Sequence, residues 1–243
     1  MGVFRLTIYG IIAGVFLYAI YYDIVYLPRI GHSWWIYKLV MLTMINLVLQ
    51  AIYYVICFAC AFMDALREKT DYGPHKKHPT TPSYWRDSKL HRISDFMYFT
   101  IIIPIGATTC LIFWALYAVE STLVIPKWAE GLIPPFMNHI THTAPLPFLL
   151  VDTLLTCHRA PPRQIGSVVV LALVPCYFII VVGVRYFHGY WLYPFLEYLS
   201  VAGLILMFLI SFVFLWLLYI IGDTMNIMLW GGATHSLPSD KGK

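Results

Sequence analysis

What most narrows the folds open to this chain is the recurrence of apolar stretches long enough to cross a bilayer. They fall at about 6–27, 36–63, 95–119, 136–157, 165–187 and 199–229, each near or above the ~20 residues that a membrane helix requires. Composition agrees: 60% of the 243 residues are hydrophobic and only 12% charged, against about 25% charged in a soluble domain. The expected fold is all-α, a polytopic membrane protein whose six-helix bundle forms one domain over 1–243.

Basic residues between the spans orient the bundle. With six spans, the N-terminus, the loop at 64–94, the loop at 158–164 and the C-terminus share one side, which carries twelve of the sixteen Lys and Arg. The other side holds only Arg29, Lys38, Lys127 and Arg185. The positive-inside rule therefore places both termini, and the basic loop at 64–94, in the cytoplasm. The net charge of +4 reads as topology and attraction to anionic headgroups, with no nucleic-acid partner implied. The first span is too long, and too poor in a cleavage site, for a signal peptide.

The five cysteines all fall in or at the ends of apolar spans, which is no disulfide framework. Cys57-x-x-Cys60 reads as small packing residues in a helix. The loop histidines His75, His78 and His91 lack the partners and spacing of a metal tract, and read as solvated.

Polar residues inside apolar spans are costly and mark functional sites. In the second span Thr43, Asn46 and Gln50 recur at the spacing of one helical face. In the fourth, Asn138-His139-Ile140-Thr141-His142-Thr143 opens the segment, and Pro145 and Pro147 follow within a turn. Each proline removes a backbone donor, so a kink beside His142 is expected. Spans two and four both run from the outer side inward. Thr43 and His142 lie seven and six residues in, each roughly 10 Å deep at 1.5 Å per residue. A threonine hydroxyl and an imidazole at one depth are the parts of an activated nucleophile.

The blocks Leu42-Thr43-Met44-Ile45-Asn46-Leu47-Val48-Leu49-Gln50 and Asn138-His139-Ile140-Thr141-His142-Thr143 resemble the androgen-induced protein and androgen-dependent TFPI-regulating protein family of integral-membrane threonine hydrolases. The resemblance continues through Leu146–Asp152, Trp191–Glu197 and Leu218–Asp223 with Asn226. It implies hydrolysis of lipid esters, notably fatty acid esters of hydroxy fatty acids, with Thr43 as nucleophile, His142 as base and His139 in support. In relatives a Trp-Lys pair lies closer to the threonine, whereas here Lys38 stands five residues before it. Asn46 and Asn138 are the candidates for an oxyanion donor or a partner orienting His142, the role of each being open. Asp152 reads as an interior polar anchor or a substrate-lining group.

The expected reaction is acyl transfer to Thr43 followed by hydrolysis, on a lipid ester entering from the bilayer, with no cofactor or metal. The competing readings are a zinc-dependent intramembrane hydrolase, with His139 and His142 joined by His188 or His158, and a non-enzymatic transporter or scaffold. Plasma membrane and endoplasmic reticulum both fit, and oligomeric state is not legible.

Overall fold

A computed structural model describes residues 2–28, 38–71, 88–125 and 131–234. Every regular element among the described residues is helical: α1 (Gly2–Tyr26), α2 (Leu42–Asp71), α3 (Lys89–Met97), a π-helical turn (Tyr98–Ile102), α4 (Ile103–Val119), a 3-10 turn (Ser121–Leu123), α5 (Pro135–His142), α6 (Pro145–Leu155), α7 (Arg163–His188), a second 3-10 turn (Pro194–Tyr198) and α8 (Val201–Thr234). Five helices are long and apolar enough to cross a membrane: Val3–Tyr26, Leu42–Leu66, Lys89–Val119, Arg163–His188 and Val201–Gly231. The third of these runs through α3, the π turn and α4 without interruption. Ile205, Leu206, Leu209, Ile210 and Val213 of α8 project outward, an apolar exterior that suits lipid as solvent.

The fourth apolar segment departs from expectation. In place of one kinked helix there are two, α5 of eight residues and α6 of eleven, parted by a turn at Thr143–Ala144. Pro145 and Pro147 lack the N–H groups that would bond back to Thr141 and Thr143, and their rings crowd those carbonyls. Pro175 stands alone inside α7, which stays continuous.

Cross-contacts fix how the helices run. On α2 and on the α3–α4 helix, Gln50 lies against Gly106 and Cys57 Sγ meets Ser94 Oγ at 3.4 Å, so the two run antiparallel. From the outer end inward, His142 stacks on Phe113, Leu149 lies against Gly106 and Thr153 bonds Tyr98. The α5–α6 pair therefore runs antiparallel to α4 and parallel to α2. It passes along α1 from Tyr22, whose ring meets Phe136, to Tyr9, which bonds Thr156 at 2.6 Å.

The expected loop at 64–94 is shorter than the sequence implied. Helix α2 continues to Asp71 and α3 begins at Lys89, with Asp64, His91, Ser94 and Asp95 buried. Ser88 caps α3 by accepting from His91 N–H. The His91 ring bonds Ser88 Oγ at 2.7 Å through Nδ1 and pairs with Asp64 at 3.2 Å through Nε2. Arg5 Nη1 reaches the same carboxylate at 3.4 Å. His91 is thus a packed interior residue, while His75 and His78 lie outside the described residues. Cys57 and Cys60 are buried, reduced cysteines packed in the helix.

Candidate active site

The polar face of α2 packs into a notch on α4. Gln50 Nε2 donates to Asn46 Oδ1 at 3.2 Å, and a Cβ at Gly106 would stand 2.6 Å from that same nitrogen. A side chain at 106 would therefore push the Gln50 amide out of its present seat. Leu149 of α6 meets Gly106 from the other side, so Gln50, Gly106 and Leu149 mark one level of the bundle.

Seven residues are two helical turns, which return a side chain to the same face about 10 Å along the axis. Counting seven outward from Gln50, Gly106 and Leu149 reaches Thr43, Phe113 and His142. The last two are in contact, with ring centroids 3.6 Å apart and planes within 11°. Thr43 lies on the face of α2 that carries Gln50, and α2 packs on α5 as well as on α4. By this count Thr43 falls two turns from Gln50, as His142 and Phe113 fall two turns from Leu149 and Gly106. Among the described residues no hydrogen bond links Thr43 to the His142 ring.

Thr43 sits differently in its helix than expected. Regular helix begins at Leu42, which puts Thr43 in the first turn instead of two turns in. Leu42 N–H donates to Tyr177 Oη at 2.9 Å and Tyr193 Oη at 3.0 Å, while Tyr177 donates to Val40 O at 3.3 Å. Tyr177 of α7 and Tyr193 of the segment that follows it therefore fix the start of α2. Burial pushes the Tyr193 phenol up, which keeps it neutral for that role. Lys38 bonds both Asp23 oxygens at 2.9 and 3.0 Å, and so ties the approach to α2 to the end of α1.

His142 is 7% exposed. Its ring lies flat on Phe113, while Nδ1 has no partner among the described residues. A neutral ring protonated at Nε2 presents Nδ1 as an acceptor, the form a general base requires. Phe113 thus orients the ring, a part for which the sequence named Asn46 or Asn138. Trp114 Nε1 donates to the His142 carbonyl at 2.9 Å and Thr143 Oγ at 3.1 Å. On the other side of the break, the Leu146 backbone bonds the Cys110 thiol. Two α4 side chains therefore satisfy backbone groups freed by the α5–α6 break.

The two histidines of the motif are unequal. His139 is exposed, meets Thr143 Oγ through Nδ1 at 3.1 Å and stacks on Trp114. Asn138 is half-buried, whereas Asn46 is 1% exposed with an unpartnered Nδ2. Buried polar atoms without partners are rare and call for an explanation. Asn46 Nδ2, Gln50 Oε1 and His142 Nδ1 fall within these two turns.

A second polar cluster lies at the inner end. Asp152 is fully buried and accepts from Tyr9 and Tyr53, each at 2.5 Å. His158 bridges Asp152 and Asp95 at 3.2 and 2.9 Å and stacks on Tyr98. Asn226 of α8 bonds the His158 backbone in both directions. Asp152 is therefore an interior anchor, a little under one helical turn beyond the Leu149 level and on the side away from His142. With His158 held there, it does not join His139 and His142, and among the described residues no group of three His, Cys, Asp or Glu is arranged to hold a metal ion.

Sequence reasoning missed Trp114, Phe113 and Gly106. Their signal was present only as α4 positions spaced seven and eight apart, which hydropathy alone does not separate from packing.

No solved structure matches the chain. It is 28% identical to the androgen-induced gene 1 protein of Homo sapiens over 189 residues, 78% of this chain and 76% of that protein. To the androgen-dependent TFPI-regulating protein of Rattus norvegicus it is 31% identical over 193 residues, 78% of this chain and 76% of that one. The hamster (Mesocricetus auratus) counterpart is 28% identical over 200 residues, 82% and 80% of the two chains. The family model described as FAR-17a/AIG1-like protein matches residues 4–227, a range holding both the Thr43 and His142 blocks and every helix that builds the site, so the chain belongs to the FAR-17a/AIG1-like family.

Proposed function

We propose that this protein is a membrane-embedded lipid ester hydrolase with Thr43 as nucleophile and His142 as general base, cleaving fatty acid esters of hydroxy fatty acids. What supports this reading is the stacking of His142 on Phe113, two turns along from the Gln50–Gly106–Leu149 contact, with Thr43 two turns from Gln50 on the same face of α2, and a His142 Nδ1 that has no partner among the described residues. Thr43 Oγ attacks the ester carbonyl carbon as Nδ1 takes its proton. The tetrahedral intermediate collapses to an acyl-threonine, and the departing alkoxide recovers that proton as the hydroxy fatty acid. Water, deprotonated by the same nitrogen, then releases the second acid and restores Thr43.

The ester enters laterally from the bilayer, and water enters from the outer face, near which Thr43 lies in the first turn of α2. The α5–α6 pair counts as a sixth crossing, giving a bundle with both termini cytoplasmic in the plasma membrane or the endoplasmic reticulum. No metal or cofactor takes part.

Labelling by a fluorophosphonate probe tests the chemistry. Wild type is expected to label, and Thr43→Ala and His142→Ala to lose the label while remaining folded. Label retained by either variant at the wild-type rate would overturn the mechanism.

A further inference from the structure

Resting on that reading, we infer that the Asn46 carboxamide is the oxyanion donor of the Thr43 reaction, and that Gln50 and Gly106 are its positioning residues. Asn46 follows Thr43 by three residues on the same α2 face, one turn inward. Gln50 Nε2 donates to Asn46 Oδ1 at 3.2 Å, which fixes the amide plane and leaves Nδ2 as the free donor. That nitrogen has no partner among the described residues although Asn46 is 1% exposed. An unmet buried N–H donor costs stability unless a ligand or transition state meets it. Glycine at 106 leaves the clasp room as it stands: a Cβ there would come within 2.6 Å of Gln50 Nε2 and displace that amide, while meeting Asn46 Oδ1 at an ordinary 3.7 Å.

The electron count is that of acyl transfer. As the bond from Thr43 Oγ to the acyl carbon forms, the carbonyl π pair moves onto oxygen, and Asn46 Nδ2–H donates to that oxyanion. When the pair returns, the bond to the leaving alkoxide breaks and His142 supplies its proton. Asn46 gains and loses no proton. Its contribution is a fixed dipole aimed where charge develops, the class of interaction that mutagenesis finds largest in acyl-transfer enzymes. Thr43 lies in the first turn of α2, so the positive end of that helix adds to the same field.

The test uses full-length protein in detergent or nanodiscs, with a palmitoyl ester of hydroxystearic acid as substrate and the fluorophosphonate as probe. Asn46→Leu removes an unmet donor but strands Gln50 Nε2 by taking away its acceptor, so its thermal stability should fall no further than that of Gln50→Leu. Its kcat should fall about 10²–10³-fold with KM within about threefold, and its probe labelling should slow in parallel. Gln50→Leu should give a smaller loss of kcat, also at constant KM. Asn46→Thr, which keeps a donor, should recover part of the Asn46→Leu loss. If Asn46→Leu keeps wild-type kcat, or its KM rises in step with the fall in kcat, Asn46 is not the donor, even where Thr43→Ala still abolishes labelling. If Thr43→Ala labels and hydrolyses as wild type, the Thr43 mechanism fails, and this assignment with it.

Discussion

Trp114 Nε1 donates to the main-chain carbonyl of His142 at 2.9 Å. The bond allows the candidate base to stand at a helix terminus inside an apolar bundle, because the α5–α6 break would otherwise strand that carbonyl in a region without water. Trp114→Phe keeps the ring against His139 and Thr143 but removes the donor. The expected loss is about 1–3 kcal/mol of stability, with turnover falling as His142 tilts. Detergent melting and ester hydrolysis measured together check this, and unchanged values of both would show that the bond holds nothing in place.

The buried and exposed histidines should separate in activity. His142→Ala removes the base and is expected to cost about 10²–10⁴-fold in turnover. His139→Ala removes one hydrogen bond to Thr143, worth about 1 kcal/mol, and should stay within about tenfold of wild type. Equal losses in the two variants would mean that His139 also acts on substrate.

Much of the bundle was legible in hydropathy because spans one, five and six need nothing beyond length and apolarity to be helices. The failures have local physical causes. Pro145 and Pro147 announced a disturbance, but its size depended on Trp114, 28 residues before His142, being there to satisfy a full break. The start of α2 was hidden because residues on both sides of Met41 are apolar and its caps, Tyr177 and Tyr193, come from 135 and 151 residues away. His158 read as a loop residue because the partners that bury it, Asp95 and Asp152, lie in two other elements. The Thr43, Asn46 and Gln50 stripe and the inequality of His139 and His142 followed from helical spacing and the motif, which is where sequence carries the chemistry.

The Asp152 cluster should be structural and separable from catalysis. Asp152→Asn leaves Tyr9, Tyr53 and His158 around a neutral group in a fully buried position. Breaking one side of a buried charged network costs about 3–5 kcal/mol. The expected outcome is a marked fall in Tm and yield, with fluorophosphonate labelling per folded molecule near wild type. A stable Asp152→Asn protein that no longer labels would instead place Asp152 in the reaction.

Whether α5 and α6 together cross the bilayer decides which faces supply substrate and water. The break at Thr143–Ala144 leaves neither helix long enough alone, yet the pair runs beside α1 from Tyr22 to Tyr9, about 20 Å at 1.5 Å per residue against the ~30 Å of a hydrocarbon core. Six crossings put the Ser121–Leu123 turn and the segment at 158–162 on opposite sides, with both termini on the side of 158–162. Single cysteines at Thr122 and at Arg159, in a background with the native cysteines replaced, should react with a membrane-impermeant maleimide from opposite faces. Tags at the two ends should become accessible only when the cytoplasmic face is opened. If Thr122 and Arg159 label from one face, the pair enters and leaves the same leaflet, and the six-crossing reading fails.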